Sequence, residues 1–230
     1  MRHKLSIALG LPVLLFLASC STPQRPAEVA RRMTSIPDDF AQVQTQGRAG
    51  GAFRYVLAGE LRTCNPLAAQ DNRSKLVAYL TAGTLLEFDA STQTVTGAVA
   101  KKWDVAEDGV TLTLKLRRDL RFSDGAELSA DDVVFTFEKI YDKDSENAVR
   151  ETFLIEGEPI QVVPIDSHTL RLRFPRPHAA AEYILTQFPV LPKHLFAKAE
   201  KNIEIYWGLE TPPEQMAGLG PFFLERHEAG

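Results

Sequence analysis

Cysteine is scarce in this 230-residue chain: Cys20 and Cys64 are too few for a disulfide scaffold. Neither stands in the clustered Cys/His spacing of a zinc site. His168, His178, His194 and His227 lie far apart, with no His-x-x-x-His pair of the metalloprotease kind. A glycine-rich phosphate loop is also missing, because Gly50-Gly51 and Gly218-x-Gly220 lack the Walker spacing and its lysine. Positive charge is in deficit. The 26 Lys and Arg against 30 Asp and Glu leave a net charge of −4, without the basic stripe of a nucleic-acid binder. The pairs Arg31-Arg32, Lys101-Lys102 and Arg117-Arg118 read as solvated faces. No repeat or low-complexity run is present, and no apolar run reaches the ~20 residues that cross a bilayer. Nothing in these patterns requires a metal or a cofactor.

What is present is most legible from Trp103 to Tyr141. Val110, Leu112, Leu114 and Leu116 alternate with Thr111, Thr113 and Lys115, the period of a half-buried strand. Asp108-Gly109 just before it signals a hairpin turn, and Asp124-Gly125 marks a second reversal. Ser129 stands as an N-cap, with Asp131 and Asp132 in the first turn where carboxylates meet the positive helix end. Val133, Val134, Phe137, Ile140 and Tyr141 follow at helical spacing as one apolar face.

The N-terminus reads as an address. Arg2 and Lys4 precede an apolar run from Leu5 to Leu17, the length of a signal h-region. The run ends Leu17-Ala18-Ser19-Cys20, which resembles the bacterial lipobox and implies lipidation of Cys20. A lipidated Cys20 cannot join a disulfide with Cys64. Ser21, where Asp would retain a Gram-negative lipoprotein at the inner membrane, permits outer-membrane sorting. From Ser21 to Arg48 the chain is polar and broken by Pro23, Pro26 and Pro37, a tether with a mean reach of roughly 30 Å.

Further elements follow in order. Phe53, Tyr55 and Leu57 alternate as a strand, and the stretch Gly59 to Pro66 has the composition of a loop. Ser74 to Leu85 reads as a helix with Leu76, Val77, Leu80 and Thr84 on one side. Phe88 to Thr96 is a turn and short strand, and Asp142 to Glu151 is a loop or frayed helix. Glu158 to Val163 and Thr169 to Phe174 are strands around an Asp166-Ser167 turn, with Leu170, Leu172 and Phe174 inward and Arg171 and Arg173 outward. Ala179 to Thr186 has helix-forming composition. Pro192 suits the first turn of a short helix before Phe196.

Several of these devices recur together in one known family. Trp103, Val105 and Asp108-Gly109, then Phe122 and Asp124-Gly125, then Ser129 to Glu138, resemble the signature region of the extracytoplasmic solute-binding proteins of peptide-type ABC transporters. Gly50-Gly51, Asn65-Pro66 and Leu85 to Asp89 match the family's opening, and Leu191 to Phe196 its Pro-Lys-His helix. Gly218-Leu219-Gly220-Pro221-Phe222 is similar to a family motif with Thr in place of Leu219.

The resemblance implies a mixed α/β fold, the first lobe of a type II periplasmic-binding-protein-like molecule with an antiparallel, hairpin-rich subdomain. It divides the chain into a signal peptide (1–19), a lipidated tether (20–48), a first part of the lobe (49–86), an inserted subdomain (87–188) and a return to the lobe (189–230). Residues of about 50–86 and 189–230 are expected to form an incomplete central sheet. Family members exceed 450 residues and close two lobes around the ligand, so the resemblance marks this chain as a truncated form lacking the second lobe, unable to bind peptide usefully alone.

The implied function is capture of a peptide or related small solute outside the cytoplasmic membrane, with delivery to ABC permease subunits and anchoring to a bacterial membrane through Cys20. The implied ligand segment is Ala58 to Asn65, giving Glu60, Leu61, Arg62, Thr63 and Asn65 as candidates. Glu60 and Arg62 suit the charged ends of a peptide, against a plain solvent-facing role. Two other readings are an envelope interaction protein that reuses the lobe as a docking surface, and a periplasmic hydrolase using Cys64 or a carboxylate pair. The thiol version needs a histidine beside Cys64.

Overall fold

The computed structural model describes residues 59–143, 147–196 and 207–227. All of them belong to the compact unit Tyr55–Gly230. The expected signal segment, Cys20, the expected tether and the strand expected at Phe53 to Leu57 lie outside the described residues.

Helix α1 spans Asn72–Thr81. It begins two residues earlier than its apolar spacing suggests, because Asp71 is the N-cap and accepts the Arg73 and Ser74 amides at 3.0 and 3.1 Å. It also stops earlier, before Gly83. The buried side is Ser74 and Ala78; Leu76, Val77 and Leu80 are half-buried. A hairpin follows, β1 (Leu86–Asp89) and β2 (Thr94–Gly97), where one short strand was expected.

The central feature is a four-stranded antiparallel sheet. Its strands are β3 (Ala100–Val105), β4 (Thr111–Leu116), β7 (Gln161–Asp166) and β8 (Thr169–Arg173), in the order β3-β4-β8-β7. Leu112 pairs with Leu172 and Leu114 with Leu170, and all four are fully buried on one face. Removing each from water contributes about 2 kcal/mol before chain entropy is counted. Arg171 and Arg173 point outward, as their alternation requires. Asp108-Gly109 does turn β3 into β4: Gly109 has φ +65°, and Asp108 Oδ1 accepts the Val110 and Thr111 amides at 3.0 and 2.8 Å. Asp166 closes β7 to β8 in the same way, accepting the His168 amide at 2.7 Å. A smaller ladder, β5 (Leu154–Ile155) and β6 (Glu158–Pro159), follows a 3-10 turn at Arg150–Phe153.

Helix α2, Ala130–Tyr141, starts at Ser129 as its sequence predicts. Its buried face is wider than the apolar residues alone indicate, since Asp132, Phe135 and Thr136 are buried too. The two polar groups act as a clasp. Asp132 Oδ2 accepts from the Ser129 amide at 2.8 Å and its hydroxyl at 3.1 Å, while Oδ1 accepts the Lys193 amide at 3.0 Å. Thr136 Oγ1 donates to the Asp132 carbonyl and accepts the Leu191 amide. The stretch before α4 (Lys193–Phe196) is thereby fixed to α2. Phe137, Phe153 and Phe188 fill the space beneath, with Phe137 and Phe188 centroids 4.3 Å apart. The helix expected over Ala179 to Thr186 is the single turn α3, Ala181–Ile184, continued as a 3-10 turn to Gln187.

Among the described residues the central sheet expected from the two flanks is represented by one bridge, Thr84 to Pro189. Arg117 corrects the expectation of a solvated pair. It is buried, and its Nε donates to the Ala98 carbonyl at 2.7 Å, while Arg118 is exposed.

Candidate functional site

Residues 59–65 form an irregular segment laid across the first turn of α1. Ser74 holds it. The Arg62 and Thr63 amides both donate to Ser74 Oγ at 3.3 Å. Hydrogen bonds from Ser74, hydroxyl and then amide, and from Arg73 pull the Asp71 carboxyl down to about 2. With its proton engaged by Asp71, the buried Ser74 hydroxyl presents its lone pairs to the segment.

Four successive donors are thus used internally. Besides Arg62 and Thr63, the Cys64 amide donates to the Trp207 carbonyl at 3.0 Å and the Asn65 amide to Thr63 Oγ1 at 3.0 Å. A peptide held as an added strand needs free backbone groups, and the second half of this segment is instead fastened to the protein. Glu60 and Arg62 are exposed, and Leu61 and Thr63 half-buried. Asn65 is buried, with Oδ1 on the Leu67 amide at 2.9 Å, so its side chain shapes the turn from within.

The far end of α1 is gripped by 218–222. The Gly220 amide donates to the Thr81 carbonyl at 2.9 Å and the Phe222 amide to the Leu80 carbonyl at 3.1 Å, satisfying two carbonyls that a helix end leaves open. The contact needs glycine. A Cβ at Gly218 would lie 1.8 Å from the Thr81 carbonyl oxygen, and one at Gly220 2.4 Å from that of Leu80. Leu219, where the motif departs from its family form, lies over Gly83.

Between these contacts is a mostly apolar cavity of about 20 Å³, lined in part by Cys64, Val77, Ser123, Trp207 and Phe223. That is room for about one water. Trp207 is buried at φ +65° with its indole Nε1 unpartnered, and with Ser74 it is a positioning residue that sequence reasoning missed. Asp71 three residues before Ser74 was the available signal for the serine; Trp207 had none.

The catalytic alternatives fare poorly. Cys64 is buried, burial pushes its thiol up, and no histidine lines the cavity it faces. Asp132 is the clasp of α2, and Asp131 pairs with Lys193 at 3.4 Å. His194 Nε2 meets Asp124 at 2.6 Å, and His168 Nδ1 meets Ser167. Among the described residues no group of His, Cys, Asp and Glu is placed to hold a metal ion, and no helix is long and apolar enough to cross a membrane.

A probable ABC transporter-binding protein of Deinococcus radiodurans is 30% identical over 189 residues, covering 80% of this chain and 32% of that protein. The peptide transport periplasmic protein SapA of Salmonella typhimurium is 27% identical over 96% of this chain and 41% of its own length. The crystal structure of the ABC transporter substrate-binding protein CtaP from Listeria monocytogenes superposes with a TM-score of 0.65 at 29% identity, over 76% of this chain and 34% of that one. The chain therefore spans 32–41% of the length of these relatives. The fold is that of the type II periplasmic binding proteins, and residues 94–230 match the middle-region profile of one family of them, whose members are transport binding proteins and not enzymes. The chain belongs to the bacterial extracellular solute-binding proteins of family 5.

Proposed function

We propose that this chain serves as part of the substrate-binding component of an ABC importer, capturing peptides or a related small solute outside the cytoplasmic membrane and passing them to the permease. The observation that carries the reading is the family match over 94–230, together with a loop that α1 holds in place without any catalytic group. The relative named for peptide transport supports peptides as the solute class.

In this reading residues 49–86 and 189–230 contribute to the ligand-binding lobe, and 87–188 form its inserted subdomain. A peptide lies along 59–63 and takes hydrogen bonds from the Glu60 and Leu61 amides, as an added strand would. Glu60 and Arg62 face its charged ends. Thr63 and Asn65 keep the loop in shape. The Leu-Ala-Ser-Cys sequence supports attachment of the protein to a bacterial membrane through lipidated Cys20.

Uptake of a labelled tripeptide by cells lacking the gene, and by the same cells carrying it back, tests the transport role. Restored uptake that falls about a hundredfold with Glu60→Ala plus Arg62→Ala is expected, roughly the cost of two charged contacts at about tenfold each. Uptake unaffected by deletion overturns the reading. Labelling with a palmitate analogue tests the anchor, and a Cys20→Ala protein that still takes the label rules it out.

A further inference from the structure

The solvent face of the four-stranded sheet gathers cations that are scattered in the sequence. Its outward positions include Lys102 on β3, Lys115 on β4, and Arg171 and Arg173 on β8, all exposed. The register makes them neighbours. Lys102 is directly opposite Lys115, Lys115 opposite Thr169, Thr113 opposite Arg171, and Thr111 opposite Arg173. Arg118 continues the patch beyond the end of β4 and feels Asp166, while Arg173 feels Asp108. The carboxylates Asp104 and Asp166 share this face on the outer strands, opposite Thr113 and Thr169, so four cations against two carboxylates leave it with a net charge of +2. Among the described residues none of the four cations has a carboxylate within salt-bridge distance, although Arg121, Arg176 and Lys193 elsewhere each have one.

Two lysines directly across a strand pair destabilise a sheet. Collecting unpaired positive charge on one face of a chain with net charge −4 costs stability, and an anionic partner offsets it. The same side carries exposed aliphatics. Val163, opposite Arg171, is 54% exposed, and Ile165 near the edge is 49% exposed. Lysine and arginine around a few aliphatic tips is the chemistry of contact with a charged lipid interface, where the cations meet phosphate and the aliphatics reach the acyl boundary.

We propose that this face lies flat against an anionic phospholipid surface. The docking orients the inserted subdomain toward the membrane and is separate from any lipid on Cys20: it is carried by charge, and it survives or fails in protein that bears no acyl chain. It also adds an orientation that the tether alone does not supply.

The test is co-sedimentation of the full, unlipidated chain with vesicles of phosphatidylcholine alone or with one third phosphatidylglycerol. The readout is the ratio of anionic to neutral partitioning, in which the apolar contribution of residues 5–17 cancels. Wild type is expected to favour the anionic vesicles and to lose that preference in salt of about 0.5 M. Lys115→Gln, Arg171→Gln and Arg173→Gln combined are expected to lower the ratio about a hundredfold, at roughly fivefold per charge. The control triple Arg121→Gln, Arg176→Gln and Lys193→Gln removes the same charge elsewhere and is expected to stay within about threefold of wild type. Equal loss in both triples, a ratio near one for wild type, or full retention in the face triple overturns the proposal. Face-dependent binding to polyglutamate without binding to anionic vesicles also overturns it, since the partner is then an acidic protein.

Discussion

At the scale of single residues, a few atoms decide whether distant segments can touch. Gly218→Ala puts a methyl group 1.8 Å from a carbonyl oxygen of α1, and neither backbone can yield without breaking the Gly220 and Phe222 hydrogen bonds. The expected loss is about 2–3 kcal/mol, read as a lower urea midpoint at unchanged slope. Gly157→Ala, with nothing within 4 Å but φ +84°, bears only the backbone strain, about 1 kcal/mol. Tyr141 is a second decisive residue. Its hydroxyl donates to the Phe153 carbonyl at 3.0 Å and accepts the Ile160 amide at 2.9 Å, and burial pushes it up to about 12. The folded state holds this proton more tightly than the unfolded chain. Tyr141 therefore stabilises fully below pH ~10, and that contribution is lost as pH rises towards 12. Ultraviolet titration should show one tyrosine ionising only near pH 12, absent in Tyr141→Phe, which is expected to cost about 1–2 kcal/mol.

Individual elements are held by a recurring device, an aspartate that closes a turn. Asp89, Asp108 and Asp166 each open a hairpin reversal with their carboxylates lowered by the Ser, Thr or backbone donors they accept. Two of these were legible as Asp-Gly and Asp-Ser pairs between alternating runs. The α1 cap was not, because the apolar spacing begins only after Ser74 while Asp71 governs the start. Asp71 carries a pH consequence at the acid end. Its carboxyl sits at about 2 in place of 3.8, so its hold on Ser74 is complete above pH ~4 and lost as pH falls through 2. The Arg62 and Thr63 amide resonances should shift together with a midpoint near pH 2, a transition that Asp71→Asn abolishes. The wider buried face of α2 was hidden for a related reason. Asp132 and Thr136 look like surface residues by type, and only tertiary partners at Leu191 and Lys193 reveal them as interior.

At the largest scale, among the described residues, one hydrophobic core joins α1, the sheet, α2 and the segments around Phe188, Trp207 and Ala217. Trp103 and Trp207 sit in different parts of it; the first donates its indole N–H to Glu182 at 2.8 Å. Tryptophan fluorescence and far-ultraviolet circular dichroism of the same unsubstituted chain are expected to report one urea midpoint, and midpoints that separate by more than about 0.5 M would show two independent units. The fold class and family were readable because hairpin turns, a cap and glycine motifs follow one another in fixed order. The candidate site was readable only as a neighbourhood. Which amides of 59–65 are already taken depends on Ser74 and Trp207, and the second of these arrives 143 positions after Cys64. The cationic face was illegible too, since it exists only once strand register brings Lys102, Lys115, Arg171 and Arg173 together.

Helix α1 has a mechanical consequence. One end carries the 59–65 loop on Ser74, and the other carries 218–222 on the carbonyls of Leu80 and Thr81. Ten residues of α-helix make a stiff rod about 15 Å long. A tug on the loop is therefore felt at Phe222 as a tilt of that rod, the way a seesaw reports a weight placed at its opposite end.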